Sequence, residues 1–186
     1  MKTTELPLTV SDLEGAPDDG NRYEVIEGEL FVSTAPSFFH QQVLSNLTFE
    51  LRLYLQEHPV GAAVAGVGVI FDQFNGVIPD LIFLTHERKK HILAQGQLSA
   101  APEIVVEVVS PGATHEKRDR TVKRRLYSAR GVHEYWIIDA DAKTVEVYRK
   151  RKEGGLKLAA NLGSADDLTS SVLPEFRLSL AQLFAE

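Results

Sequence analysis

The chain has no cysteine. That excludes a disulfide framework and a thiolate zinc site. It has no apolar run approaching the roughly 20 residues of a membrane span. Its opening residues, Met1 to Pro7, carry no apolar stretch of signal-peptide type, so a cytoplasmic location is expected. Internal repeats and low-complexity tracts are absent, as are zinc-finger spacing, a P-loop and a Gly-x-Ser-x-Gly elbow. An excess of positive charge is missing too. The net charge of −6 argues against a general nucleic-acid coat protein and leaves room only for a local basic site.

What is present is an ordinary globular composition. The 186 residues, 44% of them hydrophobic, suit one domain with a sizeable core. Residues 1–21 read as a polar leader with a short helix near Ser11–Glu14. Residues 22–150 read as the core, and 151–186 as an extension. Arg22–Ile26 and Glu29–Ser33 flank Glu27-Gly28, which predicts a hairpin. Ser37 is placed to cap a helix whose apolar stripe is Phe39, Val43, Leu47, Leu51 and Tyr54. Apolar strands are expected at 62–65 and 67–71. A second helix with Val122, Leu126 and Ala129 on its apolar face ends at Gly131. A hairpin follows at 133–139 and 144–148, then a weak strand near 156–159 and a short helix at 179–184. This order predicts an α/β or α+β domain built on a mixed sheet.

Two strands carry the chemistry. Ile78-Pro79-Asp80-Leu81-Ile82-Phe83-Leu84 opens on Asp80. Glu103-Ile104-Val105-Val106-Glu107-Val108-Val109 is interrupted by Glu107 near its end. A charge inside such a run is costly unless it is paired or holds a metal. Two carboxylates at the ends of neighbouring strands make a hard-oxygen site suited to Mg²⁺ or Mn²⁺, with the Val108 carbonyl as a further ligand.

The pattern resembles the PD-(D/E)XK nuclease superfamily, in which a lysine usually follows the second acid by two residues. Here that position is Val109. Lys123, on the following helix beside its apolar face, is the substitute: its stem can lie on the sheet while its head reaches the strand ends. The competing reading is a surface lysine of a basic helix.

Within that superfamily the chain resembles the Uma-two family of restriction-endonuclease-like proteins. The resemblance rests on Tyr23–Leu30, Ala35-Pro36-Ser37 with His40, Pro79-Asp80-Leu81, Val106–Pro111, Lys123–Tyr127 and Gly131–Asp139, in order over residues 10–150. It implies a restriction-endonuclease-like core and a catalytic lysine moved to the helix.

His40 falls within the apolar stripe, as a core or capping histidine or as a base or donor beside the metal. Glu24 and Glu29 are auxiliary acids or plain hairpin charges. Between His115 and Arg130, seven cations (Lys117, Arg118, Arg120, Lys123, Arg124, Arg125 and Arg130) face two acids, Glu116 and Asp119. Lys117, Arg120, Arg124 and Arg125 are the expected phosphate contacts, against the plainer reading of a solvated helix face.

The functional expectation is a Mg²⁺-dependent endonuclease acting on DNA, with Asp80 and Glu107 on the metal, Lys123 assisting the attacking water and His40 helping. A C₂ homodimer would supply two sites for two strands. The alternatives are a silent binding or scaffold protein of the same fold, and a hydrolase of a small phosphodiester.

Overall fold

A computed structural model describes residues 6–109 and 118–185. A 3₁₀ turn at Val10–Gly15 precedes the hairpin of β1 (Arg22–Ile26) and β2 (Glu29–Ser33). The turn residues Glu27 and Gly28 have φ of 54° and 78°, so both lie in the left-handed region. This is the type I′ geometry whose twist matches the flanking strands.

Helix α1 (Phe38–Glu57) starts at Ser37, whose side chain accepts a hydrogen bond from the His40 backbone N–H. Its buried stripe is His40, Val43, Leu44, Leu47 and Leu51. His40 takes the inward place expected for Phe39, which is 53% exposed.

Strands β3 (Gly61–Ala65), β4 (Val69–Asp72), β5 (Asn75–Val77) and β6 (Leu81–Thr85) follow. Then come α2 (His86–Ile92), β7 (Leu93–Ala94), β8 (Gln97–Leu98) and β9 (Ile104–Val109). A π-helical turn (Arg118–Lys123) runs into α3 (Arg124–Arg130), which ends on Gly131 at φ 84°. The rest is β10 (Glu134–Asp139), β11 (Thr144–Lys150), β12 (Leu156–Leu162), β13 (Asp167–Thr169), β14 (Arg177–Ser179) and α4 (Leu180–Leu183).

β13 pairs antiparallel with β14, and the other twelve strands form two six-stranded sheets, ordered β2-β1-β5-β4-β8-β7 and β12-β11-β10-β9-β6-β3. The second is mixed: β9 and β10 are parallel and its other pairs antiparallel. One of its faces packs Leu81, Val106, Val108, Trp136 and Ile138 against α1 and α4. The opposite face packs Ile82, Val105, Val109 and Ile137 against Ile26, Val69 and Val77 of the first sheet and Leu126 and Tyr127 of α3. The period of two along β9 turns Glu107 towards this second layer, between the sheets. Among the described residues no helix is long and apolar enough to cross a membrane.

Candidate active site

Leu81 pairs with Val106 across β6 and β9. Continuing that antiparallel register by one residue sets Asp80 opposite Glu107, within the reach of directly opposed side chains. The backbone N–H of Val108 donates to Asp80 Oδ2 at 2.8 Å, tying the acid to the neighbouring strand. His40 Nε2 lies 3.5 Å from the same oxygen. Arg22, first residue of β1, donates to Asp80 Oδ1 at 2.9 Å and to the Ile78 carbonyl at 3.0 Å. Burial alone would raise the Asp80 pKa. His40, Val108 and Arg22 outweigh it and hold the carboxyl well below the usual range.

Glu107 is buried, and its Oε1 accepts from Lys123 Nζ at 2.9 Å and from the Tyr127 hydroxyl at 2.8 Å. Burial, abetted by the charges of Asp80, Asp119 and Glu24, pushes its pKa up to about 8 against the opposing pull of Lys123. Lys123 is 1% exposed. Its ammonium also lies 2.9 Å from Glu24 Oε1, which accepts a hydrogen bond from the Ile78 N–H. Burial would lower the Lys123 pKa; Glu107 and Glu24 reverse that and raise it. A cation so placed stays charged.

The π-turn explains how Lys123 arrives here. Its i→i+5 bonding stacks residues five apart, where an α-helix would splay them. Arg118 and Lys123 therefore face the same cavity of about 150 Å³, which Glu24, His40, Asp80, Glu107 and Arg22 also line. Arg118 is held by the adjacent Asp119 at 2.9 Å and hydrogen-bonds Ser33 of β2.

Asp80, Glu107, Lys123, His40 and Glu24 are thus brought together. Glu29 is not: it is exposed, at the turn end of the edge strand β2, paired with Ile26 rather than beside Glu24. Val108 gives the site an N–H donor. The expected phosphate contacts do not gather at the cavity. Arg120 is taken up by Asp139 and Glu146, and Arg125 by Glu27. Arg124 lies over the Tyr148 ring. Lys117 lies outside the described residues. Among the described residues the cations that line the cavity are Lys123, Arg118, which the sequence reading placed in the basic run without singling it out, and Arg22, which it missed. For Arg22 a signal existed, because alternation puts it on the face of Glu24. For Arg118 none did, since α-helical spacing separates it from Lys123.

Among the described residues no three His, Asp or Glu side chains are already arranged around one point as metal ligands. The donor set nevertheless fits a hard dication. Three carboxylates line one cavity, and Glu24 Oε2 is a buried oxygen with no partner among the described residues. Such an orphan is costly unless a cation or water meets it. Asp80 Oδ1 would have to exchange Arg22 for the metal.

A family model described as "Uma2: Putative restriction endonuclease" matches residues 10–181. The fold is similar to that of a crystal structure of a "putative nuclease belonging to DUF820" from Anabaena variabilis ATCC 29413. The TM-score is 0.75 at 21% identity, over 96% of this chain and 98% of that one. The type IIG restriction endonuclease BpuSI matches at TM-score 0.45 and 12% identity, over 82% of this chain and 17% of its own. No curated protein matches.

Proposed function

Because the chain belongs to the Uma2 family and has its restriction-endonuclease-like fold, we propose that it is a divalent-metal-dependent nuclease hydrolysing DNA phosphodiester bonds. The observation that carries the reading is Lys123, a buried ammonium shared by Glu107 and Glu24 beside Asp80. An ion cluster this buried is a poor device for stability alone.

Asp80, Glu107 and the free Glu24 oxygen would hold Mg²⁺ or Mn²⁺, with the Val108 carbonyl available from β9. When bound, the cation would supply Lewis-acid polarisation of the scissile phosphate. Lys123 orients the attacking water and offsets the charge that grows on the phosphoryl oxygens. His40, facing Asp80 through Nε2, positions that carboxylate. Arg22, once released from Asp80, offers paired donors to non-bridging phosphate oxygens, the geometry guanidinium groups suit best, while Arg118 stays engaged by Asp119 and Ser33 in the cavity wall. Water adds to phosphorus and releases a proton to solvent, one P–O ester bond breaks, and the leaving oxygen takes a proton from solvent. Two copies related by a twofold axis would serve both strands of a duplex.

The test is cleavage of plasmid and of single-stranded DNA in Mg²⁺, Mn²⁺ or chelator, by the native chain and by Glu107→Gln. Cleavage that needs metal and vanishes with Glu107→Gln is the expected result. The silent-scaffold alternative draws on Arg22, which already neutralises Asp80. It predicts no cleavage and no metal-dependent thermal shift. Turnover of a small phosphodiester without affinity for DNA would favour the third reading.

A further inference from the structure

Helix α1 serves two cavities at once. Its His40 lines the carboxylate cavity. Phe39, Gln42 and Val43, on the same turn, line a second cavity of about 180 Å³. The far walls are the β10–β11 turn, with Asp141 and Lys143, and the C-terminal segment, with Phe184. That turn follows Asp139, which pairs with Val109, two residues beyond Glu107. Both cavities therefore open at the same end of the mixed sheet, one on each side of the first turn of α1.

The second cavity has the chemistry of a nucleobase pocket. Phe39 is 53% exposed at its edge and Phe38, 75% exposed, meets it edge-to-face at 5.8 Å. Two adjacent exposed phenylalanines on a soluble surface call for an occupant. Beside a phosphodiester site, the occupant with a flat apolar face is a base. A cavity of about 180 Å³ is on the scale of one base and too small for a duplex.

The polar groups agree. Asp141 accepts, Lys143 donates, and Gln42, whose Nε2 donates to the Ala185 carbonyl at 3.2 Å, offers its amide oxygen. Together they can read a base edge. Asp141 disfavours a phosphate in the same place.

On the nuclease reading, we infer that the cavity beneath Phe39 receives one unpaired nucleobase of the strand whose phosphate lies in the carboxylate cavity. The preferred substrate is then single-stranded or locally unpaired DNA. A base still stacked in a helix cannot enter such a pocket.

The experiment is fluorescence anisotropy of a labelled single-stranded oligonucleotide, without divalent metal, against the same strand carrying one abasic position moved along its length. One abasic position should weaken binding by about tenfold, the weight of one base stacked on an aromatic ring. Phe39→Ala should weaken the intact strand by a similar factor and erase the response to the abasic position. Phe39→Trp should keep both. Binding of the intact strand by Phe39→Ala as by the native chain would overturn the pocket, as would equal affinity for intact and abasic strands. Absence of affinity for every strand, abasic ones included, would overturn the nuclease reading along with it.

Discussion

The Lys123 ammonium lies 2.9 Å from the Glu107 carboxylate, reaching it from sixteen residues further along the chain, on a helical turn and not on the acid's own strand. Glu24 supplies the third member of the cluster from the other sheet. The cluster thus clamps β1, β9 and the π-turn together, and its charges depend on one another.

Replacing Lys123 by Met should therefore cost stability as well as activity. It leaves Glu107 and Glu24 buried without their cation, a loss of about 3–5 kcal/mol for a broken buried pair. Urea denaturation at pH 9, where Glu107 of the native chain is ionised, measures it. The double variant Lys123→Met with Glu107→Gln should recover part of the loss, because one uncompensated charge is gone. Strictly additive losses would mean that the two residues are not coupled.

Glu107 gives a pH signature. Its folded pKa, about 8, stands above the ordinary carboxyl value of 4.5. Between those values the unfolded chain gives up the proton that the folded chain keeps. Unfolding thus becomes easier as pH rises through this window, at about 1.4 kcal/mol per pH unit for a full proton difference. Glu107→Gln removes the liability. It should match the native chain at pH 5 and exceed it at pH 8 by on the order of 2–4 kcal/mol. Thermal melts at the two pH values decide it; equal slopes for both proteins would contradict it.

Arg22 sits where a cation bound to Asp80 would sit. Arg22→Gln should therefore bind Mn²⁺ more tightly than the native chain, by about tenfold, since a loss of about 1.4 kcal/mol of competing interaction is one decade. Calorimetry without DNA reads this directly. Weaker Mn²⁺ binding in the variant would mean that Arg22 supports the metal site.

The hairpin, the cap at Ser37, helix α1 and the strands carrying Asp80 and Glu107 were legible, because period and turn chemistry are local. Of the second helix only α3 was, since Val122 lies in the π-turn and Ala129 is exposed. The first sheet as a separate layer was not. It rests on the short strands β5, β7 and β8, of two or three residues, whose apolar content no pattern marks. Nor can a buried acid in a strand be read as functional by itself. Glu134 is as buried as Glu107, yet Trp136, Arg149, Ser170 and Ser171 satisfy it far from the cavity. The difference lies in partners brought by distant elements. The helix cations were misjudged for the same reason: Asp139, Glu146 and Glu27, which engage Arg120 and Arg125, are far away in sequence.

Those partners separate two arginines that the sequence groups together. Arg120 is part-buried between Asp139 and Glu146, whereas the Arg125 side chain is 63% exposed and pairs with a Glu27 side chain that is 49% exposed. An exposed pair of this kind is worth about 0–1 kcal/mol, so Arg125 can leave it for a phosphate at little cost. Arg125→Ala should change stability by no more than about 0.5 kcal/mol. It should weaken DNA binding and lower the salt slope by about 0.7 for a single strand. Arg120→Ala should do the reverse, because it strands two acids: lower stability, with an unchanged salt slope. Anisotropy titrations from 50 to 200 mM salt, paired with urea melts, measure both quantities. An unchanged slope in Arg125→Ala would remove α3 from the DNA path and leave Arg22 and Lys123 as the cations that meet the backbone.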